Sequence, residues 1–131
     1  MKKILFYTDT HQLGGTENHM LLLARFLPKE EFEVTLACSK NQNLNSWCQR
    51  FLELDHEVIR IPVVHKHDPR HYLFLKQIVE NFDLFHMHLW NPASCRYGFW
   101  AAGRVPLVIT EHDPFALSGL KGWMKKNFLK K

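Results

Sequence analysis

Apolar runs alternate along the chain with stretches in which apolar residues recur every three or four positions. The uninterrupted run at 4–7 is typical of a strand that is covered on both faces. In the segment 70–82, Tyr72, Leu75 and Val79 share one face of a helix. Apolar runs of this kind predict strands at 4–7, 32–38, 56–63, 83–89 and 106–112. The spacing of three or four residues predicts helices between them at 16–27, 46–54, 70–82 and 91–103.

This alternation predicts the α/β class, with a Rossmann-like parallel sheet and helices on both faces in three layers. In such a sheet the carboxyl ends of the strands lie along one edge, and sites form there near the point where the strand order reverses. In a 3-2-1-4-5 order, strands one, four and five are neighbours. The polar residues that follow those strands then converge on one cleft.

Capping residues predict where three of the helices begin. Thr16 is the expected N-cap of the first helix, and the acidic Glu17 suits the positive end of its dipole. Ser46 and Gln49 have the spacing of a capping box. Asparagine followed by proline at 91–92 is typical of an N-cap and a first helical position.

Composition limits the classes of protein to which the chain can belong. Its 131 residues, 46% of them apolar, suit one globular domain, and no run reaches the roughly 18 apolar residues of a membrane span. Three widely spaced cysteines fit neither a zinc pattern nor a disulfide framework, which indicates a reducing cytoplasm. Five of the 17 basic residues follow residue 113, leaving 12 against 13 acidic ones, so we expect no nucleic-acid partner.

The segment 114–131 differs from the rest of the chain as a basic, amphipathic tail. Its apolar positions fall on one helical face, and it runs to Lys130 and Lys131 without a helix terminator. We therefore expect a Rossmann-like domain at 1–113 and a tail helix at 114–131 that leads to a second domain absent from this chain. Alternatively, residues 117–131 contact an anionic membrane, which places the cytoplasmic protein at its inner face.

The turn after the first strand contains two consecutive glycines, Gly14 and Gly15, directly before a helix. Glycines leave room for a group to approach the backbone, and the N–H groups of a helix start attract an anion. The alternative is a tight turn that binds nothing. The spacing differs from the dinucleotide fingerprint G-x-G-x-x-G, so the glycines alone do not predict a cofactor.

Several of the nine histidines lie at or near the predicted strand ends. His86 and His88 share one face of the fourth strand, and we expect a structural role for His86. His112 comes where the fifth strand ends, which favours a functional role. Three more histidines are expected on a solvated loop: His65, His67 and His71.

A metal site and a serine hydrolase are both disfavoured. His86, His88 and His112 could approach one ion, but no typical metal-binding spacing accompanies them. No G-x-S-x-G elbow follows any predicted strand. We therefore expect neither a metal nor another cofactor.

Three segments of the chain match, in order and spacing, the motifs of one enzyme family. They are Gly-Gly-Thr-Glu at 14–17, Asp-Leu-Phe-His-Met-His at 83–88, and the strand at 105–113, which ends in Glu-His-Asp. With these motifs, the chain resembles the amino-terminal domain of family 4 glycosyltransferases, which have the two-Rossmann-domain (GT-B) architecture. The resemblance covers nearly the whole chain.

The resemblance implies a retaining transfer of a sugar from a nucleotide-sugar donor to an acceptor such as a glycan or a lipid-linked saccharide. Gly14 and Gly15 would face the donor phosphates, and His112 would lie beside the transferred sugar as the catalytic residue. Glu17 and His88 would line the acceptor side. Because the family's main donor-binding residues belong to its second domain, this chain alone is expected to be inactive.

Two other classes of protein compete with this hypothesis. A non-catalytic Rossmann-like module that binds a nucleotide or a sugar would have the same strands and helices. A flavodoxin-like receiver fits less well, because it needs clustered acids after strand one and a lysine after strand five. This chain has Asp9 alone and His112 at those places.

Overall fold

The computed structural model describes residues 1–89 and 95–111, and within them it has an α/β fold. The strands are β1 (Lys2–Tyr7), β2 (Phe32–Ser39), β3 (Glu57–Ile61), β4 (Leu84–Leu89) and β5 (Leu107–Glu111). The α-helices are α1 (Gly15–Phe26), α2 (Asn45–Glu53), α3 (Arg70–Ile78) and α4 (Arg96–Ala101). Short 3-10 helices at Gln42–Leu44 and Val79–Asn81 precede α2 and extend α3. Each predicted strand and helix thus has a counterpart, although the ends differ.

The strands form one parallel sheet in the order β3-β2-β1-β4-β5. β1 is central, and its Tyr7 lies opposite Ala37 of β2 and Met87 of β4. The chain order reverses between β1 and β4, which is where sites form in open parallel sheets. The predicted parallel sheet is confirmed, and the carboxyl ends of β1, β4 and β5 lie side by side.

Helices cover both faces of the sheet, so the predicted three-layer arrangement is confirmed. Side chains alternate along β1: Ile4 and Phe6 pack with α1 and α2, whereas Leu5 and Tyr7 pack with α3 and α4. None of these four residues is more than 3% exposed. Burial on both faces explains why the first strand has an uninterrupted apolar run.

Helix α1 begins two residues earlier than the capping pattern predicts. Gly14 is its N-cap, and no side chain caps the helix start. Thr16 therefore lies inside the first turn and is buried, so the prediction of Thr16 as N-cap is wrong. Glycine at this position weakens a helix by only a few tenths of a kcal/mol relative to a polar cap, which explains why the polar residue is not needed there.

Helix α2 does not use the predicted capping box. The 3-10 turn before it is capped by Asn41, whose side chain accepts a hydrogen bond from the Asn43 N–H at 2.9 Å. Leu44, the N-cap of α2, is fully buried and has no side-chain cap. The prediction for Ser46 and Gln49 is wrong because the 3-10 turn continues directly into the helix and satisfies its first N–H groups.

Helix α4 begins at Arg96, because the residue before it interrupts helical geometry. Cys95 has a left-handed backbone with a φ of 59°. Its N–H donates to the Asp9 carboxylate at 2.8 Å, which fixes the chain at this point. The predicted helix start at 91–92 lies outside the described residues.

The predicted domain boundary at 113 and the tail at 114–131 also lie outside the described residues. These two expectations therefore stay predictions. Within the described part of the chain, none of the helices has the length and apolar character needed to cross a lipid bilayer.

Gly98 of α4 is a point of close approach between this helix and the sheet. A Cβ added there would overlap the sulfur of the fully buried Met87 and lie 3.3 Å from the Tyr7 ring. We predict that Gly98→Ala lowers the free energy of unfolding by about 1–3 kcal/mol, because overpacking forces Met87 to move. Gly15→Ala is the control, since a Cβ there meets no atom within 4 Å. Urea unfolding measures both variants, and equal stability would contradict the close approach.

Candidate functional site

A cavity of about 250 Å³ opens where β1 ends and α1 begins. Its lining consists of residues 10–17 and Lys66, which comes from the loop between β3 and α3. The Thr10 hydroxyl donates to the Gln12 carbonyl oxygen at 2.7 Å. The Asn43 side chain donates to the His11 carbonyl oxygen at 3.2 Å. These bonds hold the β1–α1 loop in place along one wall of the cavity.

The two glycines of this loop face open space. A Cβ added at Gly14 or Gly15 would meet no atom within 4 Å, so close packing does not require glycine here. Gly14 has a φ of −165°, an extended conformation that any residue adopts. Among the described glycines, the one with a positive φ is Gly103. Packing at both positions and the backbone conformation of Gly14 therefore do not require glycine, and the choice between a ligand site and a tight turn stays a prediction.

The amino end of α1 forms part of the cavity. The Asn18 N–H donates to the Gly14 carbonyl oxygen at 3.3 Å, which is the first bond of the helix. The N–H groups that precede it have no backbone acceptor within the helix, and those of Gly14 and Glu17 bond to the Glu17 carboxylate instead. The positive end of the helix dipole lies behind them. A helix start with this exposure suits an anion such as a phosphate group.

Glu17 joins the loop to two helices. It is 4% exposed, its Oε1 lies 3.3 Å from the Thr10 hydroxyl oxygen, and its carbonyl oxygen accepts from the Trp47 indole N–H at 2.9 Å. Burial raises the pKa of Glu17, while the N–H groups of Glu17 and Gly14 and the Thr10 hydroxyl act in the opposite direction. With Gly14 as N-cap, Glu17 takes the third helical position, from which a capping-box glutamate reaches back.

His86 and His88 lie on the same face of β4, as the strand alternation predicts. Their rings stack with centroids 4.1 Å apart, and the Phe6 ring lies 5.2 and 5.1 Å from them. His86 Nε2 is 2.7 Å from the Thr110 hydroxyl of β5, which supports the structural role expected for His86. His88 is fully buried, and its ring centroid is 6.3 Å from that of His19 in α1. The stacked pair thus connects β5 and β4 to α1.

His71 is fully buried in α3, so the prediction that it lies on a solvated loop is wrong. Its Nδ1 is 2.9 Å from the Tyr7 hydroxyl and its Nε2 is 3.2 Å from the His65 carbonyl oxygen. In the neutral ring that fits both contacts, Tyr7 donates to Nδ1, and Nε2–H donates to the carbonyl. The helical spacing of His71 from Leu75, four residues on, is the pattern that indicates its burial. His65 and His67 are exposed, as expected.

Asp9 has a structural role that no sequence pattern indicates. It is 6% exposed at the end of β1, and its Oδ2 accepts the Cys95 N–H at 2.8 Å. Within the described residues, its Oδ1 has no hydrogen-bond partner. The bond connects β1 to the start of α4 across 86 positions of the sequence, which a local pattern cannot record.

His112 follows β5 directly and lies outside the described residues. Its role as catalytic residue therefore stays a prediction, although the sheet order places β5 two strands from β1 with its carboxyl end at the same edge. The alternative of a three-histidine metal site includes this residue. In residues 1–89 and 95–111, no group of three or more His, Cys, Asp or Glu side chains is arranged to hold a metal ion.

Two larger cavities lie away from these strand ends. One, of about 510 Å³, is lined at the amino-terminal edge of the sheet by residues that include Met1, Phe32 and Glu57. The other, of about 470 Å³, lies between α1 and α2 and includes Leu22 and Leu54. Neither is lined by the residues that follow the strands, so the smaller cavity at the β1–α1 loop is the better candidate.

We predict that Glu17→Gln raises the melting temperature at neutral pH. The pKa of Glu17 is raised in the folded protein, so the folded state binds its proton more tightly, and wild-type stability falls as pH rises above the ordinary value of 4.5. The glutamine keeps a carbonyl acceptor without the charge. Melting temperatures of both proteins between about pH 4 and pH 8 test this. A difference that stays constant over that range would contradict it.

We predict that His71 makes the fold less stable in mild acid. Burial lowers the pKa of His71, while Asp9, the His65 carbonyl and Asp68 act in the opposite direction. The unfolded chain therefore binds a proton first, and stability present above pH 6.5 is lost as the pH falls toward the folded-state pKa. His71→Gln should flatten the pH dependence of the melting temperature. Exposed His65→Gln is the control and should leave the dependence as in wild type.

The family assignment follows from a comparison with known proteins. The model of Glycosyltransferase Family 4 matches residues 13–131, which include the glycine turn, β4 and β5. No curated protein matches the chain. The sheet with its central β1 and its open loop is consistent with the amino-terminal half of the GT-B architecture. The chain belongs to Glycosyltransferase Family 4.

Proposed function

We propose that this chain is the acceptor-binding half of a retaining glycosyltransferase. The enzyme transfers a sugar from a nucleotide-sugar donor to a glycan or a lipid-linked saccharide, and a second domain supplies most donor contacts. The observation that carries the proposal is the cavity at the amino end of α1, where two glycines leave the backbone open. Membership of the family supplies the class of reaction.

In this proposal Gly14 and Gly15 face the donor phosphates. The leaving nucleoside diphosphate gains negative charge as the bond to the sugar breaks. Backbone N–H groups and the dipole of α1 stabilise that charge without a metal, and the missing Cβ atoms let phosphate oxygens come close. Lys66 lines the same cavity and adds a positive charge. Contacts that strengthen as this charge develops stabilise the transition state more than the bound substrate, and they therefore lower the activation barrier.

His112 is the proposed catalytic residue, which holds sugar hydroxyls beside the breaking bond. Glu17 and His88 belong to the acceptor side in the same proposal. Their exposed fractions of 4% and 0% support a positioning role, in which both side chains shape the acceptor surface from beneath it. Glu17 acts through the Thr10 hydroxyl, and His88 acts through α1.

We predict that Gly15→Trp lowers kcat/KM for sugar transfer by roughly 100-fold, because the indole fills the cavity and covers the N–H groups of α1. His112→Ala should lower it by roughly 10- to 100-fold, because the contact to the sugar is lost. Transfer of labelled sugar is measured in the protein that carries this domain together with a donor-binding domain. Melting temperatures establish that both variants fold.

Leu22→Trp is the matched control for Gly15→Trp. It adds the same ring to the same helix at a position that is 52% exposed and outside the cavity, so transfer should not change. Unchanged transfer in both Gly15→Trp and His112→Ala would discard the proposed site. A protein that transfers no sugar, yet binds a nucleotide sugar and loses that binding in Gly15→Trp, would instead be the non-catalytic binding module.

A further inference from the structure

Two of the three cysteines face each other in the core between the sheet and α2. Cys38 on β2 and Cys48 on α2 place their sulfur atoms 3.4 Å apart. Their exposed fractions are 0% and 4%, and both belong to the core on the α1–α2 face. Cys95 lies in the core on the opposite face of the sheet. The fold therefore assembles one thiol pair and keeps the third thiol apart.

Arg60 of β3 places a positive charge beside this pair. It lies opposite Cys38 in the sheet, and its guanidinium donates to the carbonyl oxygens of Ser39 and Asn41 at 2.8 Å each. The hydrogen bond between the sulfur atoms raises the pKa of Cys38 and lowers the pKa of Cys48, and the charge of Arg60 favours the thiolate at both. Cys48 is therefore the better nucleophile of the two.

We propose that Cys38 and Cys48 form a reversible intrachain disulfide when hydrogen peroxide reaches the protein. The Cys48 thiolate attacks one peroxide oxygen, which forms a sulfenic acid and releases hydroxide that is protonated to water. The Cys38 sulfur then attacks the sulfenic sulfur. The S–S bond forms, the S–O bond breaks, and the oxygen leaves with the Cys38 proton as a second water. The two thiols together lose two electrons, and the peroxide gains them.

The disulfide would fasten α2 to β2 next to the candidate site. Trp47, directly before Cys48, donates its indole N–H to the Glu17 carbonyl oxygen at 2.9 Å. Asn43, inside the loop that the disulfide closes, donates to the His11 carbonyl oxygen at 3.2 Å. Oxidation would therefore stiffen two contacts that hold the β1–α1 loop. This inference does not depend on what that loop binds.

Peptide mapping of the folded 131-residue chain tests the proposal. The chain is treated with peroxide, remaining thiols are alkylated, and trypsin cleaves after Lys29, Lys40 and Arg50. The two cysteines then fall in separate peptides, 30–40 and 41–50. We expect these peptides to be joined, with the loss of two hydrogens from their summed mass. Dithiothreitol should separate them again.

Two serine variants serve as controls. Cys48→Ser should abolish the joined peptides, whereas Cys95→Ser should retain them, because its sulfur is in the other core. Alkylation of both Cys38 and Cys48 after peroxide treatment of the folded chain would overturn the proposal. Oxidation of Cys48 to a sulfinic acid with Cys38 still alkylated would also overturn it, as would a linkage that forms only in urea.

Discussion

The architecture depends on the burial of residues 4–7 of β1, a strand that pairs with another strand on each edge and packs against helices on each face. Ile4 and Phe6 enter one core, and Leu5 and Tyr7 enter the other. A shift of the register by one residue would exchange the two faces, so burial specifies the register strongly. Parallel pairing with β2 and β4 requires helical crossovers, which leave the strand carboxyl ends at one edge. The position of the cavity follows from this constraint, because the loop that leaves β1 must cross that edge.

Buried polar groups hold the helices against this edge. The Tyr7 hydroxyl pairs with His71 of α3, and the Asp9 carboxylate accepts the N–H of Cys95 before α4. A buried polar group without a partner destabilises the fold by about 1–3 kcal/mol. Each of these hydrogen bonds therefore favours the one position of its helix in which the bond can form. On the other face of the sheet, the polar contacts of the buried Glu17 hold the start of α1 in the same way. The β1–α1 loop is thus held by the fold itself, which is what the proposed electrostatic stabilisation of a transition state requires.

The α1–α2 face combines the candidate site with the thiol pair. Trp47 contacts the start of α1 through the Glu17 carbonyl oxygen, and Cys48, the next residue, contacts Cys38 of β2. The proposed disulfide would therefore reach the start of α1 through α2 and this hydrogen bond. The α3–α4 face has a different composition, with Cys95 as a single buried thiol and a glycine, Gly98, at a point of close approach between helix and sheet.

The sequence by itself determined the strands, the helices and the α/β class, because burial on two faces leaves apolar runs and helical spacing along the chain. The motifs at 14–17, 83–88 and 105–113 indicated the family by resemblance. It also indicated the glycine turn and the shared face of His86 and His88. Local capping patterns at Thr16 and Ser46 were misleading, because a glycine cap and a preceding 3-10 turn replace them. Only the tertiary structure decided the contact between Tyr7 and His71 and the bond between Asp9 and Cys95. Those contacts join residues 64 and 86 positions apart, and they exist only once helices dock on the sheet.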